Sequence, residues 1–236
     1  MESQTGKAGE MTHALWAHVL PFAAWLLIMS VPWGGPPARY AARSLASLAL
    51  FLWLRPWAFY PALSLRRLPL AVLVGVGVCV VWVLPESPLL RAVPACQDFY
   101  LRYAVRPWGV FPKAAPALAF APEHGGWLWS LIRLGGSAFV IAPVEEFFWR
   151  GFLYRWLVSK DFLSADLSRV RWPVFLATAL LFALEHDRWL VGLAAGLAYG
   201  YLYVRTKDIW AAAAAHACTN YLLALYVLAT GAYQFW

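Results

Sequence analysis

The stretch PVEEFFWRGFLYRWL, residues 143 to 157, sets two glutamates and an arginine among aromatic and aliphatic side chains. Its surroundings decide how it is read. Of the 236 residues, 62% are hydrophobic and only 13% charged, and the mean hydropathy is +0.60. Apolar runs near the ~20 residues that a spanning helix needs recur along the whole chain. The composition is therefore that of an all-α, polytopic transmembrane helix bundle, and the quoted stretch lies at membrane depth.

Seven spans are expected, at Leu15 to Val31, Tyr40 to Leu54, Leu68 to Leu84, Trp127 to Val158, Trp172 to Asp187, Trp189 to Val204 and Ile209 to Ala229. The first exceeds a signal-peptide core and reads as a retained anchor. Between Pro85 and Gly126 seven prolines break any helix into short pieces, leaving a loop with an interfacial helix near Asp98 to Val105. The chain divides into a polar tail (residues 1–13), an N-terminal transmembrane region with the proline-rich loop (14–126) and a transmembrane core (127–236) that carries the quoted stretch. With the N-terminus cytoplasmic, ten Lys and Arg fall on the inner side, Arg55, Arg66 and Arg67 among them, against seven outside, including Arg39, Arg43 and Arg188. That balance favours the N-terminus inside.

The formal charge of +7 is carried by arginines and lysines scattered at the ends of apolar runs. No basic stripe forms, so nucleic acid is not an expected partner. Three cysteines without metal-ligand or redox spacing suggest no disulfide framework. The fifteen tryptophans suit interfacial belts.

Ionisable groups inside a membrane are costly and usually functional. Glu145, Glu146 and Arg150 lie in the fourth span, Glu185 and His186 in the fifth, His216 and Asn220 in the seventh. At a rise of ~1.5 Å per residue, Glu145 and His186 lie at similar depths, ~20 Å from the cytoplasmic end, with His216 shallower but within reach. Residues four apart share a helix face, so Glu146 and Arg150 can form an ion pair, and Glu145 is turned ~100° away from them. Glu145 is thus left without a local cation in a low-dielectric setting, free to act as a base. His216 and Asn220 face one way, as do Phe182 and His186. Such a set suits attack of water on a carbonyl: a carboxylate to take the proton, histidine to orient water or protonate the leaving amine, and His plus Asn donors for the oxyanion. Glu185 reads either as a second carboxylate of the site or as a rim residue beside Asp187 and Arg188. His13, His18 and His124 read as interfacial or satisfied side chains.

At these positions the sequence resembles the CAAX protease and bacteriocin-processing family of membrane proteases. That family's EExxxR, FxxxH and HxxxN blocks appear in order as EEFFWR (145–150), FALEH (182–186) and HACTN (216–220), each on its own span. The resemblance covers about residues 127 to 230. It implies a glutamate-type intramembrane protease in which Glu145 with His186 activates water, His216 with Asn220 forms the oxyanion site, and Glu146 and Arg150 support them. Eukaryotic members remove the last three residues of prenylated CAAX proteins, and the size of this chain fits a subgroup that accompanies exosortase systems. The expected partners are a lipidated or membrane-anchored protein or peptide substrate and the bilayer, and no cofactor is expected. Two alternatives stay open: a zinc-dependent membrane protease, although the HExxH spacing is absent, and a non-enzymatic transporter or immunity protein, although no repeated half is visible.

Overall fold

A computed structural model describes residues 2–105 and 117–236. Among these, seven long helices carry the fold: α1 (Glu2–Ser30), α2 (Pro36–Leu54), α3 (Leu68–Val83), α4 (Trp127–Val158), α5 (Trp172–Leu184), α6 (Trp189–Thr206) and α7 (Ile209–Thr230). No strand occurs among the described residues, so the fold is the all-α bundle that the apolar runs imply. The helices containing 9–30, 65–91, 127–158 and 209–230 are long and apolar enough to cross a bilayer. The fifth run departs from expectation. Its helix stops at Leu184, because the next four residues, Glu185-His186-Asp187-Arg188, are all ionisable and form a turn rather than a further helical turn. His186 therefore sits at the mouth of an α5–α6 hairpin instead of within a span.

Between α3 and α4 the chain forms the short pieces its prolines dictate: helices Pro88–Arg91, Pro94–Tyr103 and Pro122–Gly125, each opening on a proline whose missing N–H is no loss in a first turn. The second of these meets the expected interfacial helix four residues early. Pro107, Pro112 and Pro116 lie outside the described residues. The α3 end is pinned to the start of α6 by a buried ion pair, Arg188 Nε and Nη2 donating to Glu86 at 2.5 and 3.1 Å. Arg188 is thereby committed elsewhere than to a rim with Glu185.

The packing is governed by small residues. α7 opens with Asp208 capping the N–H groups of Trp210 and Ala211, and its Ala211–Ala215 run lets α3 and α4 come close. Where α3 crosses α7, a Cβ on Gly75 would lie 2.5 Å from the Ala215 carbonyl oxygen and 2.7 Å from Cys218 Cβ. A Cβ on Gly77 would meet nothing. Gly75→Val is accordingly expected to cost about 1–3 kcal/mol through forced separation of the helices, with Gly77→Val near parental stability. Parallel unfolding titrations in mixed micelles check this, and equal midpoints would contradict the close crossing.

α4 is the helix that carries the glutamates, and it is not uniformly wound. Gly136–Ile141 and Phe147–Tyr154 are π-helical, flanking an α-helical Ala142–Glu146. Pro143 supplies a reason for the first widening, since it has no N–H to continue the ladder. Close neighbours accompany the second: Tyr60 Oη donates to the Gly151 carbonyl at 2.8 Å. His18 fills the space beside it, with Nδ1 donating to the Ala14 carbonyl at 2.6 Å and Nε2 2.9 Å from Tyr60 Oη. His18 is a satisfied core side chain, as its sequence context suggests.

Candidate active site

α4, α5, α6 and α7 meet around a cavity of about 220 Å3 whose wall includes Glu145, His186, His216 and Asn220. The four residues drawn from three separate motifs thus converge. Glu145 and Glu146 are adjacent in sequence yet part company in space, as helix geometry requires.

Glu146 faces inward and is fully buried. Its Oε1 accepts from Arg150 Nη1 at 2.9 Å and from His216 Nδ1 at 3.0 Å. Arg150 also donates from Nη2 to the Gly196 carbonyl at 2.9 Å, and its guanidinium lies 4.5 Å over the Phe182 ring. One ion pair therefore ties α4 to α5, α6 and α7. The helix spacing anticipates the Glu146–Arg150 half of this; the His216 half it does not.

That second contact fixes the histidine's chemistry. A carboxylate ion only accepts, so Nδ1 of His216 carries the hydrogen and Nε2 faces the cavity. The ring is held flat against Tyr199, centroids 4.8 Å apart and 20° between planes. Tyr199 in turn donates to Thr219 Oγ1 at 2.7 Å. Nε2 can donate to an oxyanion only in the doubly protonated ring, which qualifies the donor role that the motif implies.

His186 reaches the same state by another route. Its Nδ1 donates to the Phe182 carbonyl at 2.8 Å, closing the α5 terminus, and its ring rests on Phe182 at 4.6 Å and against Trp82 at 5.6 Å. Nε2 is again the free nitrogen. Asn220 spends one Nδ2 hydrogen on the Ser137 carbonyl, in the first π-helical segment, at 2.9 Å. Its other N–H and its Oδ1 remain for the cavity.

Glu145 is buried, and its Oε2 has no hydrogen-bond partner among the described residues. Glu185 Oε2 is in the same condition. Donor atoms of Glu145, Glu185 and His186 all lie within 4.8 Å of one another, so Glu185 is a second carboxylate of the cavity. The turn after Leu184 explains this, because leaving the helix frees Glu185 to turn inward.

Several wall residues escape motif-based reading. Trp25 on α1, Tyr40 and Arg43 on α2, and Trp82 on α3 show that the N-terminal half helps to build the cavity. Arg133 on α4 lines it as well. A signal for Arg133 exists in the sequence, for it is an arginine inside the fourth apolar run. Arg43 is counted from sequence with the outer loop charges because it lies at the very start of the Tyr40–Leu54 run, whereas α2 begins at Pro36 and places it a full turn and more inside the helix.

Comparison with known families matches residues 126–222 to the Rce1-like family, type II CAAX prenyl endopeptidase Rce1-like. Comparisons with curated proteins and with solved structures give no match. The matched region is less than half of the chain, but it holds all three motifs, and with them Glu145, Glu146, Arg150, Glu185, His186, His216 and Asn220. Residues 126–222 of this integral membrane protein are thus similar to the Rce1-like CAAX prenyl endopeptidases.

Proposed function

We propose that the chain is a glutamate-type intramembrane endopeptidase that cuts a lipidated or membrane-anchored protein, with residues 127–236 as its catalytic core. The observation that supports this most is the convergence of Glu145, His186, His216 and Asn220 on one cavity inside the bundle. In this reading a water lies between Glu145 and His186. Glu145 removes its proton as the oxygen attacks the scissile carbonyl, and the His186 Nε2 lone pair accepts the water's second hydrogen and aims the nucleophile. The free N–H of Asn220 stabilises the developing oxyanion, joined by His216 Nε2 when the ring is doubly protonated. Glu146 and Arg150 position His216. The proton on Glu145 then passes to the departing amine. The membrane is a bacterial plasma membrane, with the N-terminus on the cytoplasmic side.

Incubation of the purified protein with a library of lipidated and membrane-anchored peptides, in the presence of a chelator, tests the reading. Cleavage that survives chelation supports water activation by the carboxylate alone. A second reading has its own observation: Glu145, Glu185 and His186 offer oxygen and nitrogen donors within 4.8 Å of one another, a set that fits a divalent cation such as zinc. Activity lost to 1,10-phenanthroline and restored by zinc would select that reading.

Asn220→Ala is expected to lower kcat about 100- to 1000-fold with KM nearly unchanged, as befits loss of an oxyanion donor. His216→Ala should do at least as much harm, and the double variant should fall well short of additivity because both groups serve one charge. Steady-state kinetics decide it: a rise in KM alone would make Asn220 a substrate-binding residue instead.

A further inference from the structure

Beside the catalytic cavity, and sharing Met29, Tyr40, Arg43, Arg133 and Trp236 with its lining, lies a second chamber of about 230 Å3. Three arginines line this annex, Arg39 and Arg43 on α2 and Arg133 on α4, and no acidic side chain among the described residues does. Arg43 and Arg133 stack on the same Tyr40 ring, their guanidinium carbons 4.6 and 4.3 Å from its centroid. Arg43 also lies 4.3 Å over Trp25.

Stacking explains where these side chains rest but leaves their hydrogens unused. Each guanidinium carries five N–H donors. The Nε atoms of both Arg43 and Arg133 are shielded from solvent and have no acceptor among the described residues. None of the three arginines lies within 4.0 Å of a carboxylate oxygen among the described residues; Arg43 feels Glu185 and Glu145 of the adjoining cavity at longer range, and those two carboxylates are gathered with His186. Two half-buried cations sharing one ring repel each other, and no carboxylate among the described residues is in direct contact to offset that cost.

We propose that Arg39, Arg43 and Arg133 form a subsite for a carboxylate of the substrate, held close to the bond that is cut. The planar arginine fork matches a carboxylate in two parallel hydrogen bonds. The annex has room for a terminal residue, and Tyr40, Arg43 and Arg133 line both it and the cavity that holds Glu145. A carboxylate seated there extends the peptide past the catalytic water and fixes which bond reaches it. Calling the ligand a substrate rests on the protease reading; the anion subsite itself does not.

The test separates the two. A binding assay on the full-length Glu145→Gln protein, which needs no turnover, uses a fluorescein-labelled, lipidated peptide pool made in three forms: free C-terminal acid, C-terminal amide, and amide with an internal glutamate. The acid is expected to bind at least about tenfold more tightly than the plain amide, the scale of one charged hydrogen-bonded contact. That preference should vanish on adding Arg43→Gln and Arg133→Gln together. Recovery of tight binding by the glutamate-bearing amide would assign the carboxylate to a side chain, and its absence to the chain terminus. Should the double glutamine variant not fold, Arg43→Lys and Arg133→Lys, which keep charge but lose the fork, should each weaken the preference. Equal binding of acid and amide, or a preference that survives the arginine changes, overturns the subsite. So does stabilisation by phosphatidylglycerol that depends on these arginines without any acid preference, since it would give them to a lipid phosphate. Wild-type protein that discriminates acid from amide yet cuts neither would keep the subsite and refute the protease reading.

Discussion

A Glu145→Gln protein is expected to fold as the parent does and to cleave nothing above background. Glutamine keeps the shape of the side chain but cannot take a proton from water, and loss of a general base alone lowers rates ~100- to 10,000-fold. The structure adds a reason to expect an intact fold. Glu145 forms no ion pair among the described residues, so its neutralisation strands no buried cation. Thermal melts and initial rates on the same preparation check both halves, and parental turnover in this variant would sink the mechanism. Stability at or above the parent's is the further expectation, because the two neighbouring carboxylates of the cavity, Glu145 and Glu185, then become one.

Glu146→Ala is expected to behave in the opposite way, failing in stability as well as in rate. Its Oε1 is the common acceptor for Arg150 at 2.9 Å and His216 at 3.0 Å, both buried. Removing one partner of a buried pair leaves an uncompensated charge, at a cost of about 3–5 kcal/mol. Arg150 keeps its bond to the Gly196 carbonyl and its place over Phe182, which together offset only part of that cost. His216 loses the acceptor that sets its tautomer, so any properly folded fraction should also turn over slowly. The double variant Glu146→Ala, Arg150→Ala should be less destabilised than the sum of the two single changes, since each removes the same interaction. Equilibrium unfolding in mixed micelles measures these differences. A Glu146→Ala protein as stable as the parent would show that the Glu146–Arg150–His216 linkage does not bear on stability.

Adjacent carboxylates with such different expected behaviour follow from a rotation of ~100° per residue, and this much is legible in the sequence. Glu146 and Arg150 stand four apart, and no fold is needed to see that they can pair. The apolar runs likewise place every long helix, because each must satisfy its own backbone hydrogen bonds in lipid. The motifs at 145–150, 182–186 and 216–220 name the residues that meet in the cavity.

What no local rule supplies is which of these groups touch. His216 lies seventy positions from Glu146, and only the crossing of α7 with α4 brings its Nδ1 to the carboxylate, so its tautomer is a tertiary fact. Glu185 lies at the end of α5, and although the ionisable residues 185–188 mark that boundary, only the packing of the α5–α6 hairpin brings Glu185 beside Glu145. The arginine annex depends on three side chains from two helices, Arg43 and Arg133 of them stacked on one tyrosine ring, although Arg39 and Arg43 read from sequence as loop charges. Sequence by itself determined the all-α membrane bundle and the identity of the costly polar groups, since hydropathy and helix period act within a single segment. Tertiary structure alone decided their partners, because hydrogen bonds and like-charge proximity between helices depend on how the segments cross.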